Sequence, residues 1–162
     1  MQLFAEQGLW EIAGRRLARL SPTAPPMNSF QSQHAQDVLL FSLQRHGPDF
    51  RLGEHFRLVE MASKDGADLV KVPPALLLLL EQVRRHFDRP VHLTSGYRTA
   101  EHNRRIGGQP NSKHLLGMAA DVQVHGVPPG DVAAYADRLG VGGCGSYPTF
   151  VHLDVDGRNR RW

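Results

Sequence analysis

Cysteine is almost missing from this chain: Cys144 stands alone among 162 residues, so no internal disulfide can form and the core must hold the fold. A catalytic thiol is a formal alternative, but the setting Gly142-Gly143-Cys144-Gly145 reads as a buried strand in which a small apolar side chain packs. Long apolar runs are missing too. Leu76 to Leu80 is the longest, far short of the roughly 20 residues that cross a bilayer, so no transmembrane segment is expected. Met1 to Leu20 is interrupted by Glu6, Gly8, Glu11, Gly14, Arg15 and Arg16 and offers no apolar heart for a secretory signal; the expectation is synthesis in the cytoplasm. Charge of one sign is scarce as well, with 19 Lys+Arg against 16 Asp+Glu and a net of +3. Without a basic run interleaved with aromatics, nucleic acid is not expected as a partner, while the slight positive bias suits an anionic surface.

What remains is ordinary globular material, 41% hydrophobic and 22% charged, in a length typical of one domain. The organisation divides near residue 50, into an N-terminal helical extension and linker (1–50) and a domain (51–162). In the extension, Leu9, Ile12, Ala13, Leu17 and Leu20 repeat at helical spacing, Pro22 to Pro26 is a linker, and Ala35 to Arg45 predicts a second helix. In the domain, Phe56 to Met61 predicts a first strand. Pro73-Pro74 opens a helix whose core face is Leu76, Leu79, Leu80, Val83 and Phe87. Val91 to Thr94 predicts a strand, Thr99 caps a short helix through Arg105, and Asp131 to Leu139 predicts a helix stopped by Gly140. Strands over Met118 to Val124, Gly143 to Tyr147 and Phe150 to Val155 complete an α+β arrangement, a mostly antiparallel sheet with helices on one side and the site on the other.

Three residues in this layout have the chemistry of metal ligands. A zinc centre that catalyses needs three protein ligands from His, Asp, Glu or Cys and an open fourth position. Val122 and Val124 share one face of their strand, leaving Asp121 on the other; Val151, Leu153 and Val155 likewise leave His152 and Asp154 on the opposite face. If those strands pair, an imidazole meets a carboxylate. His114 precedes the first strand after the turn-prone Gln109-Pro110-Asn111, and Gly117 lets the backbone bend back. A solitary histidine is more often an ordinary surface or core residue, and seven of the nine are not claimed as ligands: His34, His46, His55, His86, His92, His102 and His125. Convergence carries the assignment of His114, Asp121 and His152.

The run Ser112-Lys113-His114-Leu115-Leu116-Gly117-Met118-Ala119-Ala120-Asp121, the later Phe150-Val151-His152-Leu153-Asp154 and the upstream Ser95-Gly96-Tyr97-Arg98 resemble the M15 family of zinc murein peptidases, which includes D-Ala-D-Ala carboxypeptidases and phage endolysins. Asn103, Gly107-Gly108, Gly142-Gly143, Tyr147 and Arg161-Trp162 continue the likeness, which covers roughly Phe56 to Trp162.

The resemblance implies a hedgehog/DD-peptidase-like zinc peptidase fold, Zn2+ as cofactor, and hydrolysis of peptide bonds in peptidoglycan stem peptides or cross-links, in carboxypeptidase or endopeptidase mode. It implies substrate contacts for Arg98 and Ser112, Arg98 gripping a murein carboxylate in bidentate fashion. Better-known members place an acid three positions before the last zinc histidine; here that position is Thr149. Asp154 is therefore the expected general base, with orientation of His152 as its other reading, and Tyr147 is placed to offer a hydroxyl to a developing oxyanion. The missing acid keeps alive a non-catalytic wall-binding or phage structural module that retains the zinc fold. Without an export signal, the enzyme reading implies a phage or prophage lysin, favoured as a monomer, that reaches the wall through holin lesions or on a virion.

Overall fold

The structure is a computed structural model that describes residues 37–162. The helix expected from Leu9 to Leu20 and the linker from Pro22 to Pro26 lie outside the described residues.

The segment expected to be helical from Ala35 to Arg45 is instead mostly strand where it is described. Strand β1 (Leu39–Ser42) pairs antiparallel with β2 (Leu69–Val72), and only Leu43–His46 turns as a short helix, α1. Leu39 lies opposite Val72 and Phe41 opposite Val70, so pairing with a distant strand overrides the local helical spacing. Ser42 then caps α1 by accepting from the Arg45 N–H at 3.0 Å, and Asp68 accepts from the Ser42 hydroxyl at 3.0 Å and from the Gln44 N–H at 2.7 Å. Residues 39–50 precede the expected domain boundary, yet Phe41 is buried in the same core as Phe56 and Leu80.

The strand expected over Phe56 to Met61 is also corrected: Leu58–Met61 forms one helical turn, α2. Glu60 accepts from the Arg57 backbone N–H at 2.7 Å and closes the turn. Leu58 and Met61 are both fully buried, and residues three apart share a face in a helix but fall on opposite faces of a strand.

The remaining helices follow expectation. Helix α3 (Pro74–Phe87) begins with proline at its first turn and buries Leu76, Leu79, Leu80 and Val83, with Phe87 partly buried at its end. Helix α4 (Ala100–Arg105) starts where Thr99 accepts from the His102 N–H at 3.0 Å, and α5 (Pro129–Leu139) ends at Gly140 with φ 71°. No helix of the described residues is long and apolar enough to cross a membrane.

The main sheet has five strands in the order β3-β4-β6-β5-β7, namely β3 (Val91–Ser95), β4 (Ala119–Val124), β5 (Gly143–Ser146), β6 (Val151–Asp154) and β7 (Arg160–Arg161). Its pairs are antiparallel except β5 with β7, which is parallel. Helix α3 packs on β3 and β4, and α5 on β4, β5 and β6. Val122, Val124, Leu153, Val151 and Cys144 face this apolar layer, each fully buried aliphatic side chain contributing on the order of 1.5–3 kcal/mol. Burial pushes the Cys144 thiol up to about 11, so it is an inert packing group. The architecture is α+β, as expected, and the alternation that sends valines and leucines inward leaves Asp121, His152 and Asp154 on the opposite face.

Candidate metal centre

The register of β4 and β6 sets Asp121 directly across from His152. His114 reaches the same point from a 3-10 turn, Lys113–Leu116, which Gly117 ends with φ 72°. Two bonds fasten that turn to the segment after β3: the Arg98 N–H donates to the His114 carbonyl at 3.0 Å, and the His114 Nδ1–H donates to the Gly96 carbonyl at 2.7 Å. The three expected ligands are thus brought together. His114 Nε2 lies 3.2 Å from Asp121 Oδ1 and 3.3 Å from His152 Nδ1, and His152 Nδ1 lies 2.9 Å from Asp121 Oδ1.

Donor accounting shows what this triangle can hold. A carbonyl only accepts, so the proton of neutral His114 sits on Nδ1 and its Nε2 lone pair faces the centre. His152 turns Nε2 toward the Asp154 carboxylate, with Oδ2 at the ion-pair distance of 3.6 Å, and in the tautomer with its proton on Nε2 the Nδ1 lone pair is left for the centre. In these tautomers three acceptor atoms converge, an arrangement that repels itself unless a cation sits between. A tetrahedral zinc with bonds of about 2.0–2.1 Å separates its ligand atoms by about 3.3 Å, close to the triangle observed. The donor set of two imidazoles and one carboxylate fits the group.

The electrostatics agree. Burial works against charge on Asp121, but when the inward nitrogens of His114 and His152 carry a proton their hydrogen bonds more than offset it and hold the carboxyl well below the usual range. Burial likewise disfavours the His152 imidazolium, and the Asp121 and Asp154 carboxylates outweigh it, raising its pKa.

The surrounding side chains hold these ligands. Arg98 donates from Nη2 to Asp121 Oδ2 at 2.6 Å and from Nε to Ser95 Oγ at 2.7 Å, which leaves Oδ1 for the centre. Expected as a substrate grip, this guanidinium is partly committed to the ligand itself; among the described residues, Nη1 has no hydrogen-bond partner. Ser112 opens the turn carrying His114, and its side chain does not cap that turn. Asp154 is fully buried behind His152, at the ring nitrogen away from the centre, where Arg160 Nη2 donates to its Oδ2 at 2.9 Å and the Asp156 N–H to its Oδ1 at 3.2 Å. Thr149 is exposed in the loop before β6, where its carbonyl accepts from Gln123 Nε2 at 2.9 Å. Tyr147 stacks on Phe150, with ring centroids 4.4 Å apart, and its hydroxyl accepts from Trp162 Nε1 at 2.9 Å.

Arg160 and Trp162 were not foreseen as site residues, because they arrive through the parallel β5–β7 pair rather than through any local pattern. One signal was present: glycine at alternate positions of a strand marks close approach. Gly143 and Gly145 lie opposite Asp154 and His152. A Cβ at 143 would stand 2.1 Å from Asp154 Oδ2, and one at 145 would stand 2.4 Å from Trp162 Nε1.

Unclaimed histidines have partners of their own. His46 bonds with the Ser42 carbonyl and His86 stacks on Tyr135. A second cluster, Glu54, His55 and Glu81, is satisfied internally: Glu81 accepts from the His55 backbone N–H at 2.9 Å and meets its Nδ1 at 2.6 Å, while Glu54 pairs with Arg85 at 2.6 Å. It fastens the loop before α2 to α3.

Comparison with known proteins agrees with this geometry. Residues 51–154 match the family described as Peptidase M15. The peptidoglycan L,D-endopeptidase MepK of Escherichia coli (strain K12) is 35% identical over 81 residues, 46% of this chain and 44% of that protein. A probable peptidoglycan L,D-endopeptidase MepK of Haemophilus influenzae is 38% identical over 79 residues, 44% of this chain and 42% of that protein. The chain spans less than half the length of these curated relatives.

Proposed function

This chain belongs to the peptidase M15 family, and from that premise we propose that it is a zinc-dependent peptidase of peptidoglycan that cuts within the peptide cross-links. The observation that carries the reading is the convergence of three lone pairs, on His114 Nε2, Asp121 Oδ1 and His152 Nδ1, at one point. The endopeptidase mode is supported by the names of the relatives, both called L,D-endopeptidases.

When bound, zinc supplies a Lewis acid for the scissile carbonyl and lowers the pKa of a bound water toward neutrality. Everything else falls to the chain's own groups. Gly96 and Asp154 hold the two imidazoles in the tautomers that ligation needs, and Arg98 holds Asp121 with one oxygen inward. In this reading Asp154 orients His152 instead of serving as the base, because both its oxygens are engaged on the far side of the ring. Arg98 Nη1 and the Ser112 hydroxyl face substrate carboxylate and amide groups, and the Tyr147 hydroxyl donates to the oxygen on which charge develops.

A second reading, a wall-binding module that retains the metal, draws on Thr149, which offers no carboxylate where relatives of the resembled type have one. One experiment separates the two. Purified protein is incubated with sacculi and the released muropeptides are read by mass spectrometry. New peptide ends are expected, lost on chelation or in His114→Ala and restored to the wild type by zinc. Binding to sacculi with no new ends would leave only the second reading.

A further inference from the structure

Residues 155–162 lie beyond the matched span of 51–154, yet they complete the site. We propose that Trp162 is a positioning residue that sets the Tyr147 hydroxyl for the reaction, an inference that rests on the peptidase reading above. An indole N–H can only donate, whereas a phenol oxygen both accepts and donates. The 2.9 Å contact therefore runs from Trp162 Nε1 to the Tyr147 oxygen. The phenolic proton is left for another acceptor, and among the described residues the hydroxyl has no other hydrogen bond. With one lone pair occupied by the indole, the directions open to that proton narrow.

The indole is itself firmly placed. The Ser146 N–H donates to the Trp162 carbonyl at 3.0 Å and the Trp162 N–H to the Cys144 carbonyl at 3.3 Å. The ring lies over Gly145, where any Cβ would stand 2.4 Å from Nε1. Its centroid is 5.3 Å from that of His152, and the guanidinium of Arg160, which donates to Asp154 on β6, sits 5.9 Å from it. Trp162 thus stands between a metal ligand and the phenol. Phe150, stacked at an interplanar angle of 11°, fixes the plane of the Tyr147 ring. Tyr147 is 39% and Trp162 52% exposed, so substrate can reach this pair.

The test compares Trp162→Phe, Tyr147→Phe and the double variant, all zinc-loaded, on a purified cross-linked muropeptide. Tyr147→Phe is expected to lower kcat on the order of 100-fold, as loss of an oxyanion donor does. Trp162→Phe keeps the ring and the backbone bonds but removes the N–H. It should lower kcat roughly ten-fold with KM unchanged, a misplacement effect, and should add nothing in the Tyr147→Phe background. Two readouts are independent of turnover: zinc affinity by chelator competition should match wild type in both single variants, and the Trp162 Nε1–H proton resonance should move upfield in Tyr147→Phe. Wild-type kcat in Trp162→Phe, equal losses in both Tyr147 backgrounds, or weakened zinc binding would each overturn the inference while leaving the peptidase intact. A wild-type protein that cuts nothing would overturn the functional reading and this inference with it.

Discussion

Replacing Asp154 by asparagine separates two roles for a carboxylate beside a proposed metal ligand. The structure places it behind His152, with Oδ2 3.6 Å from Nε2 and 2.9 Å from Arg160 Nη2. Asparagine keeps the volume and an acceptor oxygen but loses the charge that makes the imidazole a better ligand. Removing such an outer partner weakens metal binding about 10–100-fold, which is about 1.4–2.7 kcal/mol. The cost to folding is smaller: Arg160 is 41% exposed and keeps Asp156 at 2.9 Å, so about 1 kcal/mol is lost, or a Tm drop of about 2–4 °C. The assay is zinc affinity by chelator competition, followed by kcat at saturating zinc. The expected variant binds zinc weakly and, once loaded, turns over within about ten-fold of wild type. A general base behaves oppositely, since its loss costs about 100–10,000-fold in kcat whatever the metal occupancy. Unchanged zinc affinity with a loss of that size would refute the orienting role and make Asp154 the base.

Gly143→Ala places a Cβ 2.1 Å from Asp154 Oδ2, and because that carboxylate is fully buried and cannot retreat, the variant should lose about 1–3 kcal/mol by overpacking, read by urea denaturation; wild-type stability would show that β5 and β6 can part. Asp65 is held down to about 2, chiefly by the hydrogen bond from Thr99, which outweighs the desolvation that opposes it. A carboxyl depressed on folding stabilises above its unfolded pKa of about 3.9, and that contribution should fade as pH falls from about 4 to 2. Asp65→Asn should therefore melt lower than wild type at pH 6 and converge with it toward pH 2; parallel curves of Tm against pH would contradict the assignment.

The ligand strands were legible because each alternates cleanly. Val122 and Val124 against Asp121, and Val151 and Leu153 against His152, obey a period of two that burial of one face enforces. The helices after Pro74, Thr99 and Pro129 were legible for a related reason, since proline and threonine set helix starts through bonds made within a few residues. Where expectation failed, the deciding contact was distant. Leu39–Ser42 is a strand because Leu69–Val72 lies beside it, and Leu58–Met61 turns because Leu58 and Met61 both have core to enter. Neither partner is visible in the local pattern.

The site divides along the same line. Sequence alone determined which groups could bind a metal and which way they point, because side-chain chemistry and strand periodicity are local properties. Only the tertiary structure decided which nitrogen of each histidine faces the centre, that Arg98 holds Asp121, that Asp154 stands behind His152, and that Arg160 and Trp162 complete the wall. Those facts depend on register, on a parallel pairing between β5 and β7, and on the space left by two absent Cβ atoms, and each is set by the packing of residues far apart in the chain.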